Sequence, residues 1–177
     1  MADSPARWRE PTKLVPLRWG TWAGRSWGGL WLIAAGGAAI AGSNGPTAWL
    51  AVLGLAAHLI GWSVLPSRGW RRVVVLAPSA VAMLALLAGP GYLTVLVVPL
   101  LCWFLVRHRP LRVWPMAAFV VATGIVIARL VPEYHGMPVA ASVAIGVAVG
   151  AAWAARAVHA ASARARRTSR RRRSIAP

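Results

Sequence analysis

Few side chains in this sequence could do chemistry. Asp3, Glu10 and Glu133 are the whole carboxylate supply, against 20 lysines and arginines. Paired-acid catalysis, aspartate-held magnesium and relays of intramembrane carboxylates have no residues to work with. The single cysteine, Cys102, lies inside an apolar run, so no intrachain disulfide can form. Gly-x-Ser-x-Gly, His-Glu-x-x-His, a phosphate-cradling glycine loop with lysine, and cysteine pairs are all missing. Ser63 and Ser79 lack the glycine context of an intramembrane serine protease, and no histidine stands in the last apolar run. The expectation is a protein that is not an enzyme and uses no cofactor and no metal.

Three sets of residues stay in play. His58 is the only ionisable residue deep within an apolar run, where Thr47, Ala51, Gly54, His58, Gly61 and Trp62 share one broad helical side. Such a group usually faces the bundle interior and is a functional candidate by default. A neutral imidazole can also hydrogen-bond a nearby carbonyl or hydroxyl and serve packing alone. Packing is the preferred reading, and a ligand or proton site at His58 and Trp62 is the alternative. A metal would need further ligands that no helical spacing supplies.

Arg129 and Glu133 are four apart and would face each other on a continuous helix, although Pro132 loosens that turn. With Tyr134 and His135 they form the one mixed acid, base and aromatic cluster, read as a polar outer plug or else an outward-facing binding site. Ser142, Gly146, Gly150 and Ala154 recur every four residues and so share one helical face. Small residues there let another backbone approach closely. The preferred use is packing inside the bundle, and the alternative is docking of a partner membrane protein. Ala34, Ala38 and Gly42 form a similar face early in the chain.

The elements that must carry these residues follow from composition. The chain is 58% hydrophobic and 13% charged, with mean hydropathy +0.60; a soluble domain carries roughly 25% charged residues. Apolar runs at about 28–42, 47–65, 73–88, 92–106, 116–131 and 139–155 predict an all-α polytopic membrane protein, a six-transmembrane-helix bundle with short loops. A basic N-tail, 1–26, and a basic C-tail, 156–177, flank it. A bilayer core needs roughly 20 helical residues and tolerates about 17. Several runs sit near that limit and borrow Trp, Tyr and Pro at their ends. Pro78 and Pro99 interrupt two of the runs. A signal peptide ending at Ala39-Ile40-Ala41 is disfavoured, because its basic lead is too long.

Orientation comes from arginine. The N-tail, residues 66–72, residues 107–115 and the C-tail are basic, whereas 43–46, 89–91 and 132–138 hold no Lys or Arg. The breaks alternate strictly between basic and neutral. The positive-inside bias therefore places all four basic segments, and both termini, in the cytoplasm. Arg170, Arg171, Arg172 and Arg173 are expected to contact anionic lipid. Nucleic acid is an unlikely partner for a tail without interleaved aromatics. Heavy use of Ala, Gly, Arg and Trp, with one lysine, suggests a GC-rich bacterium and its inner membrane.

In size and topology the chain resembles the substrate-binding subunits of energy-coupling factor vitamin transporters. They are also six-span proteins, and their first helix uses small residues to meet a partner. The resemblance is one of architecture and carries no substrate-site motif. Two functions are therefore expected: a non-enzymatic accessory or assembly subunit first, and a small-molecule carrier or substrate-binding subunit second.

Overall fold

The computed structural model describes the backbone of residues 11–14, 16–17 and 19–173, and the side chains of these except 11, 13, 163, 164 and 167–173. The structure is all-helical: about 85% of the described residues are helix, and no strand occurs among them. The helices are α1 (Trp22–Ala41), α2 (Trp49–Val64), α3 (Gly69–Ala85), α4 (Val97–Val106), α5 (Met116–Leu130) and α6 (Met137–Arg173). Three stretches are long and apolar enough to cross a membrane: Gly69–Ala88, Leu111–Leu130 and Tyr134–Ser162. Trp49–Val64 and Pro90–Val106 are apolar but shorter. Large apolar side chains line the outside, among them Val52, Val73, Val81, Phe119, Leu130 and Val139, each more than 60% exposed. So wide an apolar exterior suits lipid rather than water.

The run expected as one helix over 92–106 has two parts. Pro90–Leu96 is a 3-10 helix, and only Val97–Val106 is α-helical. Pro99 supplies the reason: its ring meets the carbonyl four residues back and it donates no hydrogen bond, so the preceding turn cannot settle into regular α geometry. Helix α5 then lies directly on this segment. A Cβ on Gly124 would stand 2.8 Å from the Thr94 nitrogen. By contrast, α3 runs unbroken through Pro78.

The closest helix pair is α1 against α2, joined by the turn at Ser43–Pro46. A Cβ placed on Gly36 would lie 2.5 Å from the Gly54 carbonyl oxygen, and one on Gly54 would lie 2.6 Å from the Gly36 oxygen. Gly29 and Gly61 oppose each other in the same way, at 2.9 and 2.8 Å. Each pair is equidistant from Gly45, as an antiparallel hairpin requires. The two glycines on each helix are seven apart, two turns along one face. The contact at this hairpin runs through Gly29 and Gly36; Ala34 and Ala38 stand half-buried beside it.

The core proper is built where α3, α4, α5 and α6 converge on the 3-10 segment. Met83, Leu86, Leu93, Leu96, Leu100, Phe104, Val120 and Met137 are all buried there, against the alanine face of α6.

Candidate functional site

The basic breaks converge at one end of the bundle, and their arginines complete helix ends. The last carbonyls of a helix have no partner within it and favour a cation. Arg25 Nε donates to Val64 O at 2.8 Å and Arg72 Nη1 to Ser63 O at 2.9 Å, finishing α2. Arg71 Nη1 donates to Leu105 O at 2.6 Å and Ser67 Oγ to Val106 O at 2.9 Å, finishing α4. After α4 the chain turns through His108 at φ 54, a left-handed conformation that usually takes glycine. Arg109 N donates to Phe104 O at 2.8 Å and His108 N to Leu105 O at 3.3 Å, the paired bonds of a Schellman turn. Partial burial, together with the charges of Arg71 and Arg68, holds the His108 pKa below its ordinary value. None of this role for His108 was apparent in the sequence; a non-glycine residue closing a helix leaves no pattern there.

Arg107 and Arg109 are 5% and 8% exposed. The Arg107 guanidinium lies between the rings of Trp22 and Trp103, 4.9 and 4.7 Å from their centroids, and donates to Thr12 Oγ1 at 3.2 Å. Trp22, Trp103, Arg107 and Arg109, together with Ser26, Trp153 and Arg156, line a hollow of about 70 Å3 between α1, α4 and α6. A second hollow of about 60 Å3 continues toward the middle of the bundle between Gly37, Met83, Leu100 and Ile145. The two share Leu30, Trp103, Val149 and Ala152, so they form one groove with a basic, aromatic end and an apolar end. On the far side of α1, a polar basin of about 410 Å3 is lined by Trp19, Arg25, Arg68 and Arg72.

His58 and Trp62 come together as expected, with a third member from α3. All three of His58, Trp62 and Ser79 are fully buried. His58 Nδ1 lies 3.1 Å from Ile33 O, and a carbonyl can only accept, so Nδ1 carries the hydrogen. Nε2 is then the acceptor. It takes the Ser79 hydroxyl at 2.7 Å, and the Trp62 indole N–H reaches both Nε2, at 3.0 Å, and Ser79 Oγ, at 2.9 Å. The triangle is closed and suits a neutral imidazole. Sequence reasoning passed over Ser79 because it lies on another helix, with no spacing that ties it to His58. No group of three metal-ligating side chains occurs among the described residues.

The Arg129, Glu133, Tyr134, His135 cluster is only partly assembled. Helix α5 stops at Leu130, with Val131 at φ −128 before Pro132, so Arg129 and Glu133 do not share a helical turn. A residue before proline is pushed out of the helical region. Glu133 Oε2 pairs instead with His135 Nδ1 at 2.9 Å, both exposed to solvent. The Tyr134 hydroxyl donates to Ser43 O at 2.9 Å, which ties two of the neutral turns together at the end opposite the arginines.

The expected packing face of α6 points away from the bundle. Ser142, Gly146, Gly150 and Ala154 are all exposed, and a Cβ on Gly146 or Gly150 would meet nothing within 4 Å. The packing inside the bundle is done by another alanine face, Ala140, Ala144, Ala151 and Ala155. Periodicity identifies both faces and cannot say which is turned inward. Arg170, Arg171, Arg172 and Arg173 lie on the last turn of α6, and their side chains fall outside the described residues.

No family model matches this chain, and neither a curated protein nor a solved structure is similar to it.

Proposed function

We propose that this protein is a six-span, non-enzymatic membrane subunit that assembles with a partner membrane protein. Both termini and all the basic turns face the cytoplasm of a bacterial inner membrane. The observation that carries the reading is the outward face of α6. The chain uses glycine-to-backbone contact between α1 and α2 and between α5 and Pro90–Leu96, and fills it in both places. It carries another small-residue face on α6 with open space beyond its glycines. In lipid, close backbone approach is a main source of helix association, and bare Gly and Ser gain little from acyl chains.

The six-span count rests on the alternation of basic and neutral breaks and on the convergence of the basic ones at one end. α2 and Pro90–Val106, of 16 and 17 residues, are short for a bilayer core of about 30 Å. Local thinning of the bilayer and their flanking tryptophan, tyrosine and arginine residues make up the difference. A carrier reading has less support. The hollow beside His58 holds about 60 Å3, against roughly 300–1,000 Å3 in small-molecule sites. Both ring nitrogens of His58 are already engaged.

The test is purification from native membranes in mild detergent. The expected result is a stoichiometric membrane partner that the double variant Gly146→Leu/Gly150→Leu loses while its own unfolding transition is unchanged. A solitary wild-type monomer would overturn the proposal. Orientation is tested separately with an impermeant thiol reagent on intact cells: Gly91→Cys labels and Arg112→Cys does not. The reverse pattern refutes it.

A further inference from the structure

We propose that the polar basin beside the α2–α3 turn binds a phosphate monoester group, held by Arg25, Arg68 and Arg72. No residue of α6 lines this basin, so the site and the assembly reading fail separately.

The basin holds about 410 Å3, within the roughly 300–1,000 Å3 of small-molecule sites. One wall is Trp19 and the chain leading to it, the other is the α2–α3 turn, and Arg25 of α1 joins them. Two of its guanidinium groups are fixed in place by the protein itself. Arg25 Nε and Arg72 Nη1 donate to Val64 O and Ser63 O, consecutive carbonyls at the end of α2. Two like charges are thereby held side by side. Arg25 also lies over the Trp19 ring, 4.5 Å from its centroid, and is 7% exposed. Each of these bonds uses one of the five N–H donors of a guanidinium. The Arg68 side chain is exposed and makes no hydrogen bond among the described residues, and none of the three arginines makes an ion pair there.

The backbone adds to the same preference. Arg68 is the N-cap of α3 and Arg72 lies one turn further on, so both cations crowd a helix end whose dipole favours anions. No side chain caps α3, and its first turn contains no acidic residue. Gly69 lines the basin, and a Cβ there would meet nothing within 4 Å, so the first N–H groups of the helix are open to approach. An anion in the basin meets these N–H groups and three guanidinium groups at once. A phosphate monoester brings a charge of about −1.5 to −2 and three terminal oxygens, one for each arginine. A phosphodiester or a carboxylate brings one charge and two such oxygens, and leaves one arginine without a partner. A soluble organic phosphate and a lipid with a monoester headgroup present the same group, and the two are separated by experiment.

The first measurement is equilibrium dialysis of the full chain, in neutral detergent, against radiolabelled inorganic phosphate. One saturable phosphate per chain is expected. Arg68→Gln should weaken it roughly tenfold, the factor one charge-assisted contact supplies; its side chain supports nothing else in the fold, so the unfolding transition should not move. Arg112→Gln, and a tail variant with Arg170, Arg171, Arg172 and Arg173 all changed to Gln, should bind as the wild type does. The second measurement is native mass spectrometry of the chain released from phosphatidylcholine bilayers containing equal phosphatidic acid and phosphatidylglycerol. Preferential retention of phosphatidic acid that Arg68→Gln abolishes supports the proposal with a lipid as the source. Phosphate binding without that preference supports it with a soluble ester as the source. Absence of both saturable phosphate binding and phosphatidic acid preference overturns it. So does binding that survives Arg68→Gln undiminished, or binding lost in the tail variant.

Discussion

Gly36→Ala isolates the closest contact in the fold. The added methyl would stand 2.5 Å from the Gly54 carbonyl oxygen and 2.8 Å from the His58 nitrogen. A carbon and a carbonyl oxygen settle at about 3.3–3.6 Å. The two helices must therefore part by roughly 1 Å at this point, and a gap of that size forfeits up to about half of each dispersion contact along it. Because backbone atoms are struck, no side-chain rotation relieves the clash. Overpacking of this kind costs about 3 kcal/mol, and alanine returns about 1 kcal/mol in helix propensity, leaving a net loss of about 2 kcal/mol. Gly28, the residue next to Gly29 and turned away from the contact, has nothing within 4 Å. There the same substitution gains up to about 1 kcal/mol. Reversible unfolding in mild detergent, followed by tryptophan fluorescence, should thus separate the two variants by about 3 kcal/mol. Gly36→Ala/Gly54→Ala should cost less than the sum of the singles, since one separation relieves both clashes. If Gly36→Ala proved as stable as Gly28→Ala, the α1–α2 contact, and with it the register of the hairpin, would be refuted.

Three more outcomes follow from the same geometry. Ser79→Ala should cost only about 1 kcal/mol, because the Trp62 N–H keeps His58 Nε2 as its acceptor, whereas His58→Ala removes the hub of the triangle and a buried ring and should cost at least about 2 kcal/mol in the same unfolding assay. His108→Gly should raise stability by about 1 kcal/mol by relieving the left-handed backbone. It should also remove an acid-sensitive step. With its folded pKa lowered from 6.5, His108 contributes stability that is fully present above the unfolded value and is lost as pH falls through it toward the lower folded one. The wild type should therefore lose more stability than the glycine variant between about pH 7.5 and about pH 5.5. Tyr134→Phe should cost about 1 kcal/mol in the same unfolding assay by freeing the Ser43 carbonyl.

The candidate site was partly legible in advance. His58 and Trp62 were visible because one imidazole in an apolar run is conspicuous and because a helix brings residues four apart together. Ser79 was not, since nothing in one helix encodes its neighbour in another. The Arg129–Glu133 pair failed at Pro132, where a local conformational rule outweighed the attraction of opposite charges. The glycine contacts could have been read from the seven-residue spacing of Gly29 and Gly36 and of Gly54 and Gly61, mirrored about Gly45. The small residues around them, Ala34, Ala38 and Gly42 included, hid that pattern.

What the sequence determined by itself is the helical class, the approximate extent of each apolar run and the separation of basic from neutral turns. Those follow from one-dimensional rules: backbone groups in oil must bond within their own segment, and guanidinium groups stay with water and phosphate. Tertiary structure decided which face of each helix turns inward. On α6 two small-residue faces were available; packing against the neighbouring helices covered the alanines and left the glycines outside, a choice made by side-chain volumes on other helices. Tertiary packing likewise brought Ser26, Arg107 and Arg156 to one groove from three distant parts of the chain.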